Sequence, residues 1–338
     1  MITRLKNYFK HIADQAHEYY RWYRLWGTLP VWQWVRAAEC FRRSEYRQAV
    51  SFYRAGLEKK SRHPAVFSAR LDLSYCLYRI DLHEEALEQL EILNESGVDF
   101  RDAFSLSARL YLIQGRLKKA CEIMARACIC YPDDVRILCS YVHYAIYSKS
   151  AFENLMLAVN KLERLKEPLS LEDPLTYFID NALAHYELRN GDVRGGERML
   201  ARVLASGMAP YDAVLLRGER LLETGRVLPA RDLLARAMRS AAKDPRPPML
   251  LAQSYLLTGP DYNPAWAVQL AELSCRVSRW VNGVSLVTLA RAYEAKAERA
   301  KAQLFMERVR SVPSYHELSF GQGELNVGQP RIQKVGNF

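Results

Sequence analysis

The sequence predicts an all-α protein built as a solenoid of about eight helix hairpins. A small residue recurs twelve and nineteen residues after its first occurrence, most clearly at Ala108, Ala120 and Ala127. The trio returns with a period of about 34 residues, and the apolar residues around it follow the three- and four-residue spacing of an amphipathic helix. Fixed periods of this length are typical of helical repeats that stack side by side.

Each repeat unit is predicted to be a helix, a tight turn and a second helix. In the clearest unit, residues 106–114 and 117–130 carry helical periodicity on either side of a break at Gly115. A small residue where two helices cross lets their axes approach within roughly 8–10 Å. The trios therefore predict the crossing points. The eight trios begin at Ala37, Ser74, Ala108, Cys139, Ala184, Gly218, Ala252 and Ala290.

Residues 1–30 predict a basic, aromatic amphipathic helix ahead of the solenoid. Residues 1–62 hold 13 Lys and Arg against 5 Asp and Glu, so they carry +8 of the net charge of +10. Gly27 and Pro30 then break the helical pattern. Three interpretations stay open: a cap on the first repeat, an interfacial membrane helix, or a docking surface for a partner helix. The residues proposed for docking are Phe9, Tyr19, Trp22, Tyr23 and Trp26.

Two interruptions and a tail complete the predicted domain organisation. The solenoid covers residues 31–313, and a loop near residues 166–175, with Pro168 and Pro174, is expected to divide it into two lobes. Residues 259–264 lengthen a later helix–helix turn. After Pro313 the apolar periodicity stops, so residues 314–338 are expected to be a flexible tail.

The repeat pattern resembles the tetratricopeptide repeat family over about residues 31–313. The best match is Ala108-x2-Tyr111-x3-Gly115-x4-Ala120-x6-Ala127-x4-Pro132. The fifth unit departs from the family because Gly196 stands where the family favours Ala. The resemblance implies a right-handed superhelix in which the first helix of each hairpin lines a concave groove. In this family the groove receives a peptide or a helix of another protein.

The resemblance also implies which side chains face the groove. Aromatic rings and guanidinium groups at such positions make good interface contacts because they bury large areas and pair with carboxylates. The partner is therefore expected to be an acidic or aromatic peptide, although Glu219 and Glu223 make the later groove more acidic. The candidate groove residues are Trp34, Phe41, Arg42, Tyr75, Tyr78, Arg79, Arg109, Tyr144, His185 and Arg189.

The sequence carries no recognisable catalytic motif. It lacks a phosphate-binding Gly-rich loop, a zinc-protease H-E-x-x-H pair and a nucleophile elbow, and its seven histidines are dispersed. No C-x-x-C pair is present, and Cys121 and Cys128 are interpreted as core residues rather than metal ligands. No run approaches the roughly 18–20 apolar residues of a membrane-spanning helix. We therefore expect a noncatalytic cytoplasmic scaffold or adaptor without cofactor or metal.

Two other functions remain as alternatives. The basic aromatic residues 1–30 suit a peripheral membrane-associated assembly factor recruited through this segment. The sequence pI near 9.2 is compatible with a helical-repeat RNA-binding protein. Nucleic acid is disfavoured because residues 63–338 hold 35 Lys and Arg against 33 Asp and Glu, a nearly balanced charge.

Overall fold

The protein is an all-α solenoid. The computed structural model describes residues 30–59, 65–96, 100–148, 152–170 and 173–317. The predicted N-terminal helix, its five docking residues and residues 318–338 of the predicted tail lie outside these ranges. No helix within them is long and apolar enough to cross a lipid bilayer.

Sixteen α-helices in the described ranges fall into eight consecutive hairpins, as the repeat period predicts. A short 3₁₀ helix, Pro313–Glu317, follows the last of them. The helices are α1 Pro30–Arg42, α2 Tyr46–Leu57, α3 Ala65–Arg79, α4 His83–Glu95, α5 Arg101–Ile113, α6 Leu117–Cys130, α7 Val135–Ser148, α8 Phe152–Lys166, α9 Pro174–Asn190, α10 Val193–Ala205, α11 Tyr211–Glu223, α12 Val227–Ser240, α13 Arg246–Tyr255, α14 Pro264–Val277, α15 Gly283–Ala295 and α16 Arg299–Ser311.

The predicted small-residue register is confirmed by burial. All eight residues that begin a trio are buried, and Ala108, Ala120 and Ala127 are each 0% exposed. In the fourth unit Cys139 and Ala158 are buried, whereas Ala151 lies outside the described residues. The small side chains therefore occupy the helix crossings rather than the surface.

Two glycines in this register mark closer approaches than alanine permits. A Cβ at Gly218 would lie 2.7 Å from Leu234 Cδ2. At Gly196 a Cβ would lie 2.7 Å from Leu188 Cγ and 3.0 Å from the backbone oxygen of Ala184. Gly196 thus departs from the family pattern because α9 and α10 pack backbone against side chain at this crossing, which leaves no room for a methyl group.

Replacing Ala120 or Ala230 with leucine is expected to lower the free energy of unfolding by about 1–3 kcal/mol through overpacking. Both alanines are 0% exposed at hairpin crossings. Urea unfolding followed by circular dichroism measures the change. Lys119→Leu, one residue away on the partly exposed face of α6, is the matched control. Equal midpoints for Ala120→Leu and Lys119→Leu would contradict the assigned register.

The described residues group into two compact units, 30–107 and 108–317, and the division falls within α5. The loop predicted to divide the solenoid lies inside the second unit, where α9 packs against both α7 and α8. Asp173 ends this loop by accepting a hydrogen bond of 2.8 Å from the backbone N–H of Leu175, and Pro174 begins α9. The proline pair thus ends one helix and starts the next.

Residues 314–317 differ from the expected flexible tail because they form an ordered 3₁₀ helix. Ser314 is 0% exposed. Its hydroxyl donates to the carbonyl of Val281 at 2.8 Å and accepts from the backbone N–H of Gly283 at 2.8 Å. This pair of bonds ties the 3₁₀ helix to the start of α15 and satisfies one of the unpaired N–H groups at that helix end.

Asn282 connects the start of α15 to the end of α5, 169 residues earlier in the sequence. Its side-chain oxygen accepts the N–H of Ser285 and caps α15, while its amide nitrogen donates to the carbonyl of Ile113 at 3.0 Å. Gly115 lies against the same side chain with φ +77°, and a Cβ there would lie 2.9 Å from Asn282 Cγ. This bond therefore ties the third hairpin of the chain to the eighth within the second unit.

Asn282→Asp is expected to keep the helix cap but lose the bond to Ile113, because a carboxylate accepts hydrogen bonds and does not donate them. The amides of residues 114–117 should then exchange with solvent several-fold faster, while those of residues 284–287 stay protected. Hydrogen exchange read by mass spectrometry measures both segments. Asn282→Ala should expose both, since it removes cap and bond together. Unchanged exchange at residues 114–117 in Asn282→Asp would show that the bond is dispensable.

Candidate binding surface on the first helices

The first helices of four successive hairpins in the second unit bring polar and aromatic side chains together. We call this set the polar cluster, and its members come from α7, α9, α11 and α13. Most of them are half-buried, whereas Asn181 and His185 are 2% and 1% exposed. The members of the polar cluster are His143, Tyr144, Tyr147, Asn181, His185, Asp212, Glu219 and Arg246.

A chain of hydrogen bonds links two imidazoles at the centre of the cluster. Asn181 Nδ2 lies 3.2 Å from His143 Nε2, and His143 Nδ1 lies 2.8 Å from His185 Nδ1. Because an amide NH2 group only donates, His143 accepts at Nε2 and carries its own proton on Nδ1. His185 then accepts at Nδ1 and carries its proton on Nε2. This last N–H and the Asn181 Oδ1 are buried without a hydrogen-bond partner among the described residues.

Tyr147 reaches across α9 to a residue two hairpins away. Its hydroxyl donates to Glu219 Oε2 at 2.9 Å, and its ring lies 4.8 Å from the His185 ring between centroids. Side chains from α7 and α11 can meet only if the surface formed by α7, α9 and α11 curves inward. The first-helix surface of the second unit is therefore concave at this point.

Ion pairs flank the imidazoles on the same surface. Arg246 Nη2 lies 3.1 Å from Asp212 Oδ1 and 2.6 Å from Asp244 Oδ2. Arg189 Nη1 lies 3.3 Å from Glu223 Oε1, and both of these side chains are exposed. Both of these guanidinium groups are thus already opposed by carboxylates of the chain.

Burial shifts the titration of the central groups. Burial lowers the pKa of His143, and it lowers the pKa of His185 well below its ordinary value, with the neighbouring His143 adding to the effect. Burial also raises the pKa of Glu219 to about 7, against the opposing hydrogen bond from Tyr147. Both imidazoles are consequently neutral at neutral pH, and Glu219 titrates close to it.

Asp212 and Tyr144 keep their ordinary protonation states at neutral pH. Burial alone would raise the pKa of Asp212, but Arg246 outweighs it and the pKa is lowered. Burial raises the pKa of Tyr144 to about 12, so its phenol stays protonated. The described residues contain no group of three or more His, Cys, Asp or Glu side chains arranged to hold a metal ion.

A tetratricopeptide repeat family model matches residues 181–245, which run from Asn181 in α9 to the residue before α13. This match covers four of the eight members of the polar cluster, and its helices are the hairpins described above. The chain contains tetratricopeptide repeats. No curated protein matches its sequence.

Solved structures share the tetratricopeptide fold with this chain at low sequence identity. A tetratricopeptide repeat protein from Parabacteroides merdae is 14% identical over 76% of this chain and 98% of that one, with a TM-score of 0.53. The human IFIT1 dimer with m7Gppp-AAAA is 14% identical over 84% of this chain and 69% of that one, with a TM-score of 0.52. The human IFIT1 dimer with PPP-AAAA is 13% identical over 82% and 68%, with a TM-score of 0.50. These likenesses concern the fold.

The tetratricopeptide hairpins bring together part of the predicted groove. Tyr144 and His185 belong to the polar cluster, and Arg189 lies beside it. Arg109 is exposed on α5, close enough for its charge to act on Tyr144 and Asp212. The later half of the predicted set is therefore one continuous surface of the second unit.

The predicted groove residues of the first unit are placed differently. Trp34 and Tyr78 are buried, at 6% and 9% exposed, because they pack into the repeat core, and so they present almost no surface to a partner. Phe41 and Tyr75 are half-buried. Arg42 is exposed and pairs with Glu39 at 2.7 Å, whereas Arg79 lies over the Tyr46 ring at 4.6 Å from its centroid.

Sequence reasoning missed five members of the polar cluster: His143, Tyr147, Asn181, Asp212 and Arg246. The sequence contained one signal for two of them. Asp212 and Arg246 each stand six residues before the start of a trio, so they occupy the same position in repeats 34 residues apart. His143 and His185 stand at different repeat positions, one helical turn apart, so their contact follows from the curvature of the stack.

Proposed function

We propose that this protein is a noncatalytic scaffold that holds a segment of a partner protein on the concave first-helix surface of residues 108–338. The observation that supports this proposal is the bond between Tyr147 and Glu219 across α9, since it requires an inward-curving surface. An inward-curving surface surrounds a peptide or helix on several sides and buries more of it than a flat one does.

The chemistry of this surface favours a partner segment with carboxylates and an aromatic ring. Arg109 is exposed and has no ion-pair partner among the described residues, so its guanidinium is available to a carboxylate. The half-buried rings of Tyr144 and Tyr147 offer apolar area beside it. Glu223, paired with Arg189, restricts the acidic part of the partner to the Arg109 end.

Site-specific photocrosslinking tests the proposal. A photoreactive phenylalanine analogue replaces Ser105, one helical turn before Arg109 on α5, or Arg189 on α9, or Arg194 on α10 as an exposed second-helix control. Crosslinks from the first two positions and not from Arg194 are expected, and the captured peptide is sequenced, synthesised and titrated against the purified protein. Arg109→Glu should weaken its binding at least tenfold. Equal crosslinking from Arg194, or unchanged affinity in Arg109→Glu, would place the partner elsewhere.

RNA binding is the less favoured alternative on the described surface. The IFIT1 structures contain m7Gppp-AAAA or PPP-AAAA, and at 13–14% identity the likeness of this chain to them concerns the fold alone. Arg246 and Arg189 are opposed by Asp212, Asp244 and Glu223, which would repel phosphates. Binding of a labelled oligonucleotide that falls steeply with salt and is lost in Arg109→Glu would favour RNA instead.

Recruitment to a membrane through residues 1–30 is a separate proposal, supported by the clustered charge and aromatic residues of that segment. Co-sedimentation of the full chain with vesicles containing anionic lipid tests it. We expect Trp22→Ala combined with Trp26→Ala to reduce the bound fraction several-fold. Equal sedimentation of the two chains, or none by either, would remove this function.

A further inference from the structure

A cleft on the second unit lies between α12 and the long turn that joins α13 to α14. It encloses about 650 Å³, and an adjoining cavity of about 440 Å³ shares Leu228, Arg231, Pro260 and Asp261 with it. Leu228 stands on one wall, Tyr262 and Trp266 stand on the other, and they are 60%, 43% and 53% exposed. Large apolar side chains exposed together around one cleft mark an interaction site more often than scattered ones do.

The walls of the cleft are rigidly held. Arg231 Nε donates to Ser254 Oγ at 3.0 Å, and its Nη2 donates to the carbonyls of Ser254 and Asp261 at 2.8 and 3.2 Å. Its guanidinium also lies 3.7 Å from the centroid of the Tyr255 ring. Tyr262 donates to the carbonyl of Ala295 at 3.3 Å. The cleft is thus preformed, which lowers the entropic cost of binding.

Two groups at the cleft are left available to a ligand. The carboxylate of Asp232 is exposed and has no ion-pair partner among the described residues, whereas Arg231 is 11% exposed and engaged by the turn. The indole N–H of Trp266 has no hydrogen-bond acceptor in the same ranges. With Asp261 also on the wall, Arg231 opposes two carboxylates, and the larger cavity carries a net negative charge.

We propose that this cleft binds a proline-containing extended segment of a partner protein that carries an arginine or lysine. A polyproline II segment has no internal hydrogen bonds, so its carbonyls are free to accept from the Trp266 indole. Its proline rings pack against exposed aromatic side chains, and it loses little entropy on binding because it is already extended. A cationic side chain at its end pairs with Asp232.

This site is independent of the concave surface of the polar cluster. Its walls come from α12, the end of α13, the turn that follows and the start of α14, and none of its lining residues belongs to the polar cluster. A protein with both surfaces would hold two partner segments at once, as a scaffold does.

Titration of the full chain with a labelled, capped peptide of sequence Pro-Pro-Leu-Pro-Arg-Lys tests the proposal by fluorescence polarisation. Trp266→Ala should weaken binding about tenfold, and Trp266→Phe, which keeps a ring but loses the N–H, should weaken it less. Asp232→Asn should weaken it several-fold, more at low salt. Leu304→Ala, at a residue 60% exposed on α16, is the control and should bind as the wild type does.

Variants of the peptide test the same contacts from the ligand side. Replacing the prolines with alanine should abolish the interaction, and a peptide with Glu in place of Arg and Lys should bind Asp232→Lys better than it binds the wild type. Equal binding of the proline and alanine peptides, no effect of Trp266→Ala, or no binding at all would overturn the proposal. Tighter binding of a peptide copying residues 325–338 than of the proline probe would assign the cleft to this chain's own segment instead.

Discussion

Replacing Asp180 with alanine is expected to destabilise the protein by about 2–3 kcal/mol, because it removes a buried carboxylate together with its two charge-assisted contacts to partly exposed cations. Asp180 is 0% exposed in the middle of α9. Its two oxygens lie 2.5 Å from Lys166 Nζ at the end of α8 and 2.5 Å from Arg202 Nη2 on α10. One carboxylate thus joins three consecutive helices beside the loop that interrupts the repeat period.

An exposed ion pair in the same region is the matched control. Asp133, whose side chain is 75% exposed, lies 2.9 Å from Lys161 Nζ. Asp133→Ala should change the free energy of unfolding by less than about 1 kcal/mol, since a solvated pair contributes little. Urea unfolding of both variants gives the comparison. Similar losses for Asp180→Ala and Asp133→Ala would mean that Asp180 does not link the helices.

The repeat architecture is predictable from the sequence because each helix crossing depends on residues that are close together in the sequence. Each crossing needs a small residue at a fixed distance from the next. The eight residues that begin a trio, from the first at Ala37 to the last at Ala290, are all buried as this rule requires. The same comparison of repeat positions identified Gly196 as a departure from the alanine that the family favours there. Its reason, the Ala184 carbonyl 3.0 Å from where a Cβ would stand, requires coordinates.

The polar cluster is only partly predictable because it depends on how successive hairpins are rotated against one another. The family resemblance placed Tyr144, His185 and Arg189 on one surface. The bond between Tyr147 and Glu219 spans 72 residues, and that between Asn282 and Ile113 spans 169. A small rotation at each hairpin accumulates along the stack, so contacts at these separations follow from the superhelix and from no local pattern.

Two of the groove residues predicted in the first unit are instead buried, for a related reason. Trp34 and Tyr78 stand at repeat positions that the resemblance assigns to the groove, yet both are buried. Large aromatic side chains on a first helix can turn toward the adjoining hairpin and bury more area there than in the groove. Sequence position alone does not distinguish these two orientations.

Replacing Glu219 with glutamine is expected to stabilise the protein by an amount that grows as the pH rises from about 5 to about 8. Burial raises the pKa of Glu219 to about 7 in the folded protein, above its ordinary value of 4.5. The folded state therefore keeps a proton that the unfolded chain releases. The stability contributed by Glu219 is complete below pH 4.5 and is lost as the pH rises through about 7.

Glutamine removes this loss because it never ionises, and it still accepts the hydrogen bond from Tyr147. The difference at pH 8 should be on the order of 3 kcal/mol, since each pKa unit corresponds to about 1.4 kcal/mol. Urea unfolding of wild type and Glu219→Gln at pH 5, 6, 7 and 8 measures it, with Glu223→Gln as the exposed control on the same helix. A difference that is constant with pH would contradict the prediction.

The two histidines act in the opposite direction and give the experiment its internal check. Burial lowers the pKa of both His143 and His185, so their contribution to stability is present above the unfolded value of about 6.5 and is lost as the pH falls through their folded values. In the wild type the two trends partly cancel between pH 5 and 7. Glu219→Gln removes the opposing trend, so its free energy of unfolding should rise with pH more steeply than that of the wild type across this interval, and His143→Asn added to it should reduce that rise.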